Sequence, residues 1–105
     1  MATIVRSEQP SDHFAIIANG ALEDERLSFR ARGLLAYLIS RPPGWKTDST
    51  KLAALTTEGR DAVRTALREL EARGYLQRQR VQVERGRWST VTFVHQYPVE
   101  SETPE

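Results

Sequence analysis

The sequence predicts an α+β domain, mainly α: three helices followed by a two-stranded β-hairpin, with a short strand near the N-terminus. Three observations carry this. Apolar residues recur at helical spacing in stretches that end near Arg41, Thr56 and Arg73. Beyond Gln77 the apolar period changes to two, with Val81 and Val83 before "ERGR" and Val91 and Phe93 after it. Finally, 105 residues at 39% hydrophobic and 28% charged match ordinary globular usage for one domain with one core.

The elements follow in order. Residues 1–12 are polar, charged or small with Pro10 inside, so a flexible end is expected, with at most a weak strand at Thr3–Val5. The domain proper is expected over 13–97. "HFAIIANG", His13–Gly20, has the pattern of a buried strand or extended segment closed by an Asn-Gly turn.

In "LSFRARGLLAYLISRPPGW", Ser28 is a good N-cap, and Ala31, Leu34, Leu35, Leu38 and Ile39 share a helical face. This predicts a helix from Phe29 to Ile39 or Ser40. Pro42 lacks an amide donor and disfavours helical geometry at Arg41, so the chain turns there and offers Trp45 to the core.

"KTDSTKLAALT" offers Asp48 or Ser49 as the cap of a helix about two turns long, with Leu52, Ala53 and Leu55 buried. A third helix is predicted over 57–73, with Val63, Ala66, Leu67 and Leu70 on its buried face. Gly74 suits a left-handed C-terminal stop, which places Tyr75 against Leu70. The hairpin turns at Arg85 and Gly86, and residues 98–105 have the composition of a disordered tail.

Charge is distributed unevenly. The formal net charge is only +1, yet Gly44–Thr90 holds ten basic residues against six acidic ones, whereas the segment before it balances at five each. With Val63 at zero and 100 degrees per residue, Arg60, Arg64 and Arg68 fall at about 60, 100 and 140 degrees, and Asp61 and Thr65 at about 160 and 200. The apolar centre lies near about 340 degrees, so the three arginines form a ridge beside the core face.

Helix, turn, helix and hairpin in this order form the sequence of a winged helix-turn-helix domain. In such a domain the helix over 57–73 enters the major groove of double-stranded DNA, where an arginine fork fits guanine. The expected base-contacting residues are Arg60, Asp61, Arg64, Thr65 and Arg68. The phosphate-contacting set is Lys46, Thr47, Ser49, Thr50 and Lys51 at the start of the short helix, Thr57 and Gly59 in the first turn of the long one, and Arg78, Arg80, Arg85, Gly86 and Arg87 on the basic wing, 78–88. Trp88 is read as a packing residue and left outside the site.

Other chemistries find little support. Cysteine is absent, and His13 and His95 stand alone without metal-ligand spacing. No Gly-rich phosphate loop occurs, so neither an enzyme nor a cofactor is expected. Glu69 and Glu71 are read as partners of neighbouring arginines. A domain of this size implies no small-molecule pocket. No secretory signal or membrane-length apolar segment is apparent, which gives a cytoplasmic expectation with no membrane partner.

Two resemblances sharpen the reading. "GRDAVRTALRELEARGYLQR" resembles the recognition segment of GntR-type regulators, whose pattern is matched by Arg60, Val63, Arg64, Ala66 and Leu67. That resemblance implies DNA contact at Arg60 and Arg64. Gly59 and Ala62 replace the family's small hydroxyl residues and remove two phosphate-binding hydroxyls. "LSFRARGLLAYLISRPPGW" followed by "EGR" is similar to helix-turn-helix domains of actinobacterial phage and plasmid type, found in replication initiators and replisome organisers. Arginine outnumbers lysine 13 to 2, as suits a GC-rich genome.

The expected function is that of a small transcriptional regulator of phage or mobile-element type, reading DNA as a possible homodimer. The alternatives are the DNA-binding part of a replication initiator and a winged helix used to bind a protein partner.

Overall fold

The computed structural model describes residues 2–6 and 8–99. Among them the chain is α+β, with helices α1 (Asn19–Leu22), α2 (Phe29–Ile39), α3 (Ser49–Ala54) and α4 (Arg60–Ala72), then strands β1 (Leu76–Gln82) and β2 (Trp88–Val94). Helices α2 and α3 pack on α4, β1 follows α4 directly and packs on it, and α2 touches β2. The principal core consists of Ala21, Leu27, Ala31, Leu35, Ala66, Leu70, Tyr75 and Leu76.

Helix α2 begins as its sequence predicts. The Ser28 hydroxyl accepts from the Ala31 amide at 3.1 Å, and Ala31 and Leu35 are fully buried. The cap has a second partner from α4. The Glu69 carboxylate accepts from the Ser28 amide and from the Ser28 hydroxyl, both at 2.8 Å. Within a capping box the acid comes three residues after the cap; here that position is Ala31, and a glutamate 41 residues away supplies the carboxylate.

Helix α4 ends on the backbone pattern that Gly74 permits. The Tyr75 amide donates to Leu70 O at 2.9 Å and the Gly74 amide to Glu71 O at 3.2 Å, with Gly74 at φ +86°. Tyr75 is thereby driven into the core, where its hydroxyl donates to Asp24 at 2.8 Å. Arg26 grips the same carboxylate with Nε at 2.9 Å and Nη2 at 2.8 Å. The Arg26 hydrogen bond holds the Asp24 carboxyl well below the usual carboxylate range, with the Tyr75 hydroxyl adding to it against the opposing effect of desolvation. Burial, reinforced by Asp24, pushes the Tyr75 phenol up. This cluster ties the turn before α2 to the end of α4.

Several expectations are corrected. There is no strand at Thr3–Val5 or in "HFAIIANG" among the described residues. Phe14 and Ile16 are exposed, and Asn19–Leu22 coils into the single turn α1, which buries Ala21. The backbone leading to the extended Ala18 is matched by a side chain instead of a strand: the Gln96 amide donates to Ile16 O at 2.8 Å and accepts from the Ala18 amide at 2.7 Å. The long helix begins at Arg60 and not at Thr57, because Thr56 Oγ1 accepts from the Glu58 amide at 3.1 Å and holds a turn there. Its C-terminal boundary is Ala72.

Trp45 does not enter the core. The Pro42–Gly44 turn, with Gly44 at φ +83°, leaves it 37% exposed and edge-on to Tyr37, with ring centroids 5.9 Å apart. Leu55 is 62% exposed, since α3 ends at Ala54 and Leu55 already belongs to the outgoing turn.

The hairpin pairs Leu76 with Val94 through to Gln82 with Trp88. Its tip reverses at Arg85 (φ 57°) and Gly86 (φ 74°), both left-handed, where the turn was expected. Val99 donates its amide to Gly74 O at 2.9 Å, so the start of the segment read as a tail packs on the end of α4. Met1, Ser7 and residues 100–105 lie outside the described residues, and with them most of that tail.

Candidate functional site

Helix α4 presents two unlike sides. Val63, Ala66 and Leu70 face inward, while Arg60, Asp61, Arg64, Thr65 and Arg68 are all exposed. The three arginines are one helical turn apart, about 6 Å along the axis at each step. Among the described residues no carboxylate lies within 4.0 Å of any of them. Their forks are therefore uncommitted, and five donors on each are available to a partner. Thr65 Oγ1 donates back to Asp61 O at 3.0 Å, which leaves its lone pairs as acceptors. Asp61 sits among the arginines in the first turn and lowers the local positive charge.

Gly59 caps α4 without a side chain, so the first amides of this 13-residue helix have no side-chain acceptor. Thr57 and Gly59 are exposed beside them. An anion arriving at this end meets open amides, the positive end of the helix dipole and Arg60 together.

The α3 cluster divides. Asp48 is the cap, accepting from the Lys51 amide at 2.8 Å, so that amide is committed. Lys46, Thr50 and the Lys51 side chain are exposed, whereas Thr47 and Ser49 are half-buried, with Thr47 Oγ1 donating to Asp48 O at 3.4 Å. Packing of α3 on α4 sets this cluster beside the arginine helix.

Hairpin residues Arg78, Arg80, Arg85, Gly86 and Arg87 are exposed. Arg78 is engaged by Glu71, Nε to Oε2 at 3.2 Å, and so anchors the wing to α4 while spending part of its charge. Arg80 lies 5.4 Å from the Trp88 ring centroid, which pre-orients its guanidinium. Trp88 is 57% exposed and packs on this arginine, not on the core. Arg85 and Arg87 stand at the tip.

Some residues that shape the site were not legible in the sequence. Glu69 contacts Ser28 and not an arginine, whereas Glu71 does take Arg78. Glu58 pairs with Arg30 across to α2 at 3.1 Å. Beside this pair lies a cleft of about 360 Å³, unexpected from the sequence, bounded by Phe29, Leu34, Tyr37, Leu52, Leu55 and Val63. Residues of α2, α3 and α4 line it, and Phe29 among them is 84% exposed. Only Phe29 and Leu55 carried a hint of it, as apolar residues at the outer limits of helices.

Among the described residues no cluster of three or more His, Cys, Asp or Glu side chains is placed to hold a metal ion. No described helix is long and apolar enough to cross a membrane. No family model, curated protein or solved structure matches the chain.

Proposed function

We propose that this chain is a sequence-specific double-stranded DNA-binding protein of winged helix-turn-helix type, with α4 in the major groove and the β1–β2 hairpin along the backbone. The single observation that carries the reading is the row Arg60, Arg64 and Arg68, exposed on α4 with no carboxylate within 4.0 Å among the described residues. Three glutamates on or just before α4 are each paired with another group: Glu58 with Arg30, Glu69 with Ser28, Glu71 with Arg78.

In this docking Arg60 and Arg64 read base edges, and the open amides at Gly59 receive a phosphate. Arg80, Arg85 and Arg87 hold the backbone or enter the minor groove, while Lys46, Thr50 and Lys51 fix the register from α3. The role we assign is that of a small transcriptional regulator of phage or mobile-element type. Arg64→Ala is expected to weaken a preferred site by about 1–3 kcal/mol and to relax the choice of base at one position. Arg87→Ala is expected to weaken all sequences alike and reduce the salt slope by about one. Uniform loss across sequences for Arg64→Ala defeats its base-reading role.

One observation favours a second reading, a winged helix that binds a protein partner. The apolar cleft with the exposed Phe29 and Leu55 in its lining includes none of Arg60, Arg64 and Arg68. Absence of DNA binding at low salt, where phosphate attraction is strongest, selects this reading over the first.

A further inference from the structure

The hairpin leaves one sheet edge that fits a second copy of the same chain. The sheet has two strands, and β2 is exposed along its whole length. The phase of the ladder follows from its ends: His95 donates its amide to Tyr75 O and Val83 to Arg87 O, each at 2.8 Å. Antiparallel partners alternate between bonded and non-bonded pairs, so the odd-numbered residues of β2 bond to β1. The N–H and C=O groups of Trp88, Thr90, Thr92 and Val94 point away from it. Among the described residues no backbone hydrogen bond from another segment reaches this edge. The backbone of Ile16 and Ala18 meets Gln96 instead, past the end of the strand.

Edges of this kind are normally blunted by charged residues, proline, bulges or brevity. Strand β2, "WSTVTFV", is seven residues long with no charge, no proline and no glycine. The other free edge is different, because β1, "LQRQRVQ", carries Arg78 and Arg80 among its outward-pointing residues.

Self-pairing separates the two edges. Two copies of β1 paired antiparallel about Gln79 set Arg78 opposite Arg80 twice, and like charges directly opposite destabilise a sheet. The same operation on β2 about Val91 sets Thr90 opposite Thr92, Trp88 opposite Val94, Ser89 opposite Phe93 and Val91 opposite its own copy. Thr–Thr and aromatic–β-branched pairs are among those that stabilise sheets. In this register the outward groups of Thr90 and Thr92 exchange hydrogen bonds, as do those of Trp88 and Val94, for about eight backbone bonds in all.

We infer that the chain self-associates through β2, forming a two-fold, four-stranded intermolecular sheet centred on Val91 with strand order β1-β2-β2-β1. The interface is isologous, with the same patch used by both copies. A pair of strand edges buries less than the ~1,000 Å² of a stable interface, so the dimer is a weak one in free solution. The inference does not depend on the DNA reading, and its test contains no DNA.

The test is sedimentation of the 105-residue chain from micromolar to hundreds of micromolar, together with cysteine cross-linking. The chain has no cysteine of its own. Val91 and its copy form a non-bonded pair with Cα atoms about 4.5 Å apart, within the range a disulfide spans. Val91→Cys is therefore expected to oxidise to a covalent dimer, and Gln79→Cys, its neighbour on β1, is expected to stay monomeric under the same oxidant. Val91→Lys and Val91→Glu, each checked for folding by circular dichroism, are expected to weaken self-association at least about tenfold, and an equimolar mixture is expected to restore it as a heterodimer. Three results overturn the inference: a wild-type chain that is monomeric throughout, a dimer unaffected by Val91→Lys, or equal cross-linking at positions 79 and 91. A dimer lost on deleting residues 2–6 but retained in both charged variants also overturns it, in favour of exchange of the N-terminal arm.

Discussion

Removing the Glu69 carboxylate strips the N-cap of α2 of its partner from α4, and the size of the effect follows from the contacts. Glu69 accepts two hydrogen bonds at 2.8 Å, from the Ser28 amide and hydroxyl. Each is charge-assisted, yet both lie at the solvent-accessible surface, so the lower range applies: about 1–1.5 kcal/mol for Glu69→Ala. Ser28→Ala removes one of these bonds together with the cap to the Ala31 amide, at about 1–2 kcal/mol. The shared hydroxyl–carboxylate bond makes the double mutant less destabilised than the sum, with a coupling of about 0.5–1 kcal/mol. Glu69→Gln keeps the shape and one acceptor oxygen and should lose roughly half of the Glu69→Ala effect. Urea denaturation of the four-member cycle at constant slope gives these values directly. Additivity within about 0.3 kcal/mol refutes the cross-helix cap, because no shared interaction would then exist.

Other expectations concern the ends of the same elements. Gly74→Ala places a Cβ at φ +86° against the Val99 backbone, 2.9 Å from its nitrogen, and overlapping its carbonyl oxygen. It should cost at least about 1–2 kcal/mol, read as a fall in Tm, and hydrogen exchange at the Val99 amide should lose its protection. The Asp24 cluster makes stability depend on pH in two directions. The carboxyl is depressed in the folded state, so its contribution is complete above the ordinary range near about 4 and is lost as pH falls below it. The Tyr75 phenol is raised, so its contribution is complete below its unfolded value near about 10 and is lost at higher pH. Asp24→Asn should flatten the acid limb, and unchanged acid sensitivity in that variant contradicts the assignment. Tyr75→Phe should cost about 1–3 kcal/mol and flatten the alkaline limb. Leu70→Ala, at a fully buried position on α4, should cost about 2–5 kcal/mol in the same denaturation assay.

What the sequence disclosed depends on how local each interaction is. Ser28 and Asp48 accept from amides three residues on, and the Gly74 amide donates to a carbonyl three residues back, so these caps stand where local patterning put them. The alternation around "ERGR" carries the hairpin, and the 3.6-residue period carries the buried face of α4 and its exposed arginines. Partners distant in the chain are what local pattern leaves unread. Glu69 reaches Ser28 across 41 residues, Gln96 reaches Ile16 across 80, and Tyr75 reaches Asp24 across 51. The "HFAIIANG" run has the composition of a strand, but its hydrogen bonds go to a glutamine side chain, so the apolar pattern and the backbone partner disagree. Trp45 and Leu55 show the converse: apolar identity argues for burial, while the turns that follow α2 and α3 carry them to the surface.

For the candidate site, exposure of Arg60, Arg64 and Arg68 was legible from helical angle alone. Which carboxylates would be drawn off by other partners was not, because that depends on α2 meeting α4 and on β1 returning along it. The engagement of Glu71 by Arg78 also separates the hairpin arginines, since Arg78 is held to α4 while Arg80, Arg85 and Arg87 have no carboxylate within 4.0 Å among the described residues.

Retention of the 105-residue chain on a randomised duplex library at two salt concentrations, with sequencing of the bound fraction, tests the DNA-reading claim most directly. The account predicts enrichment of one motif at the higher salt, with the enrichment lost in Arg60→Ala and Arg64→Ala while weak non-specific retention persists at the lower salt. Retention without any enriched motif, or none at all at low salt, contradicts a sequence-reading role for α4.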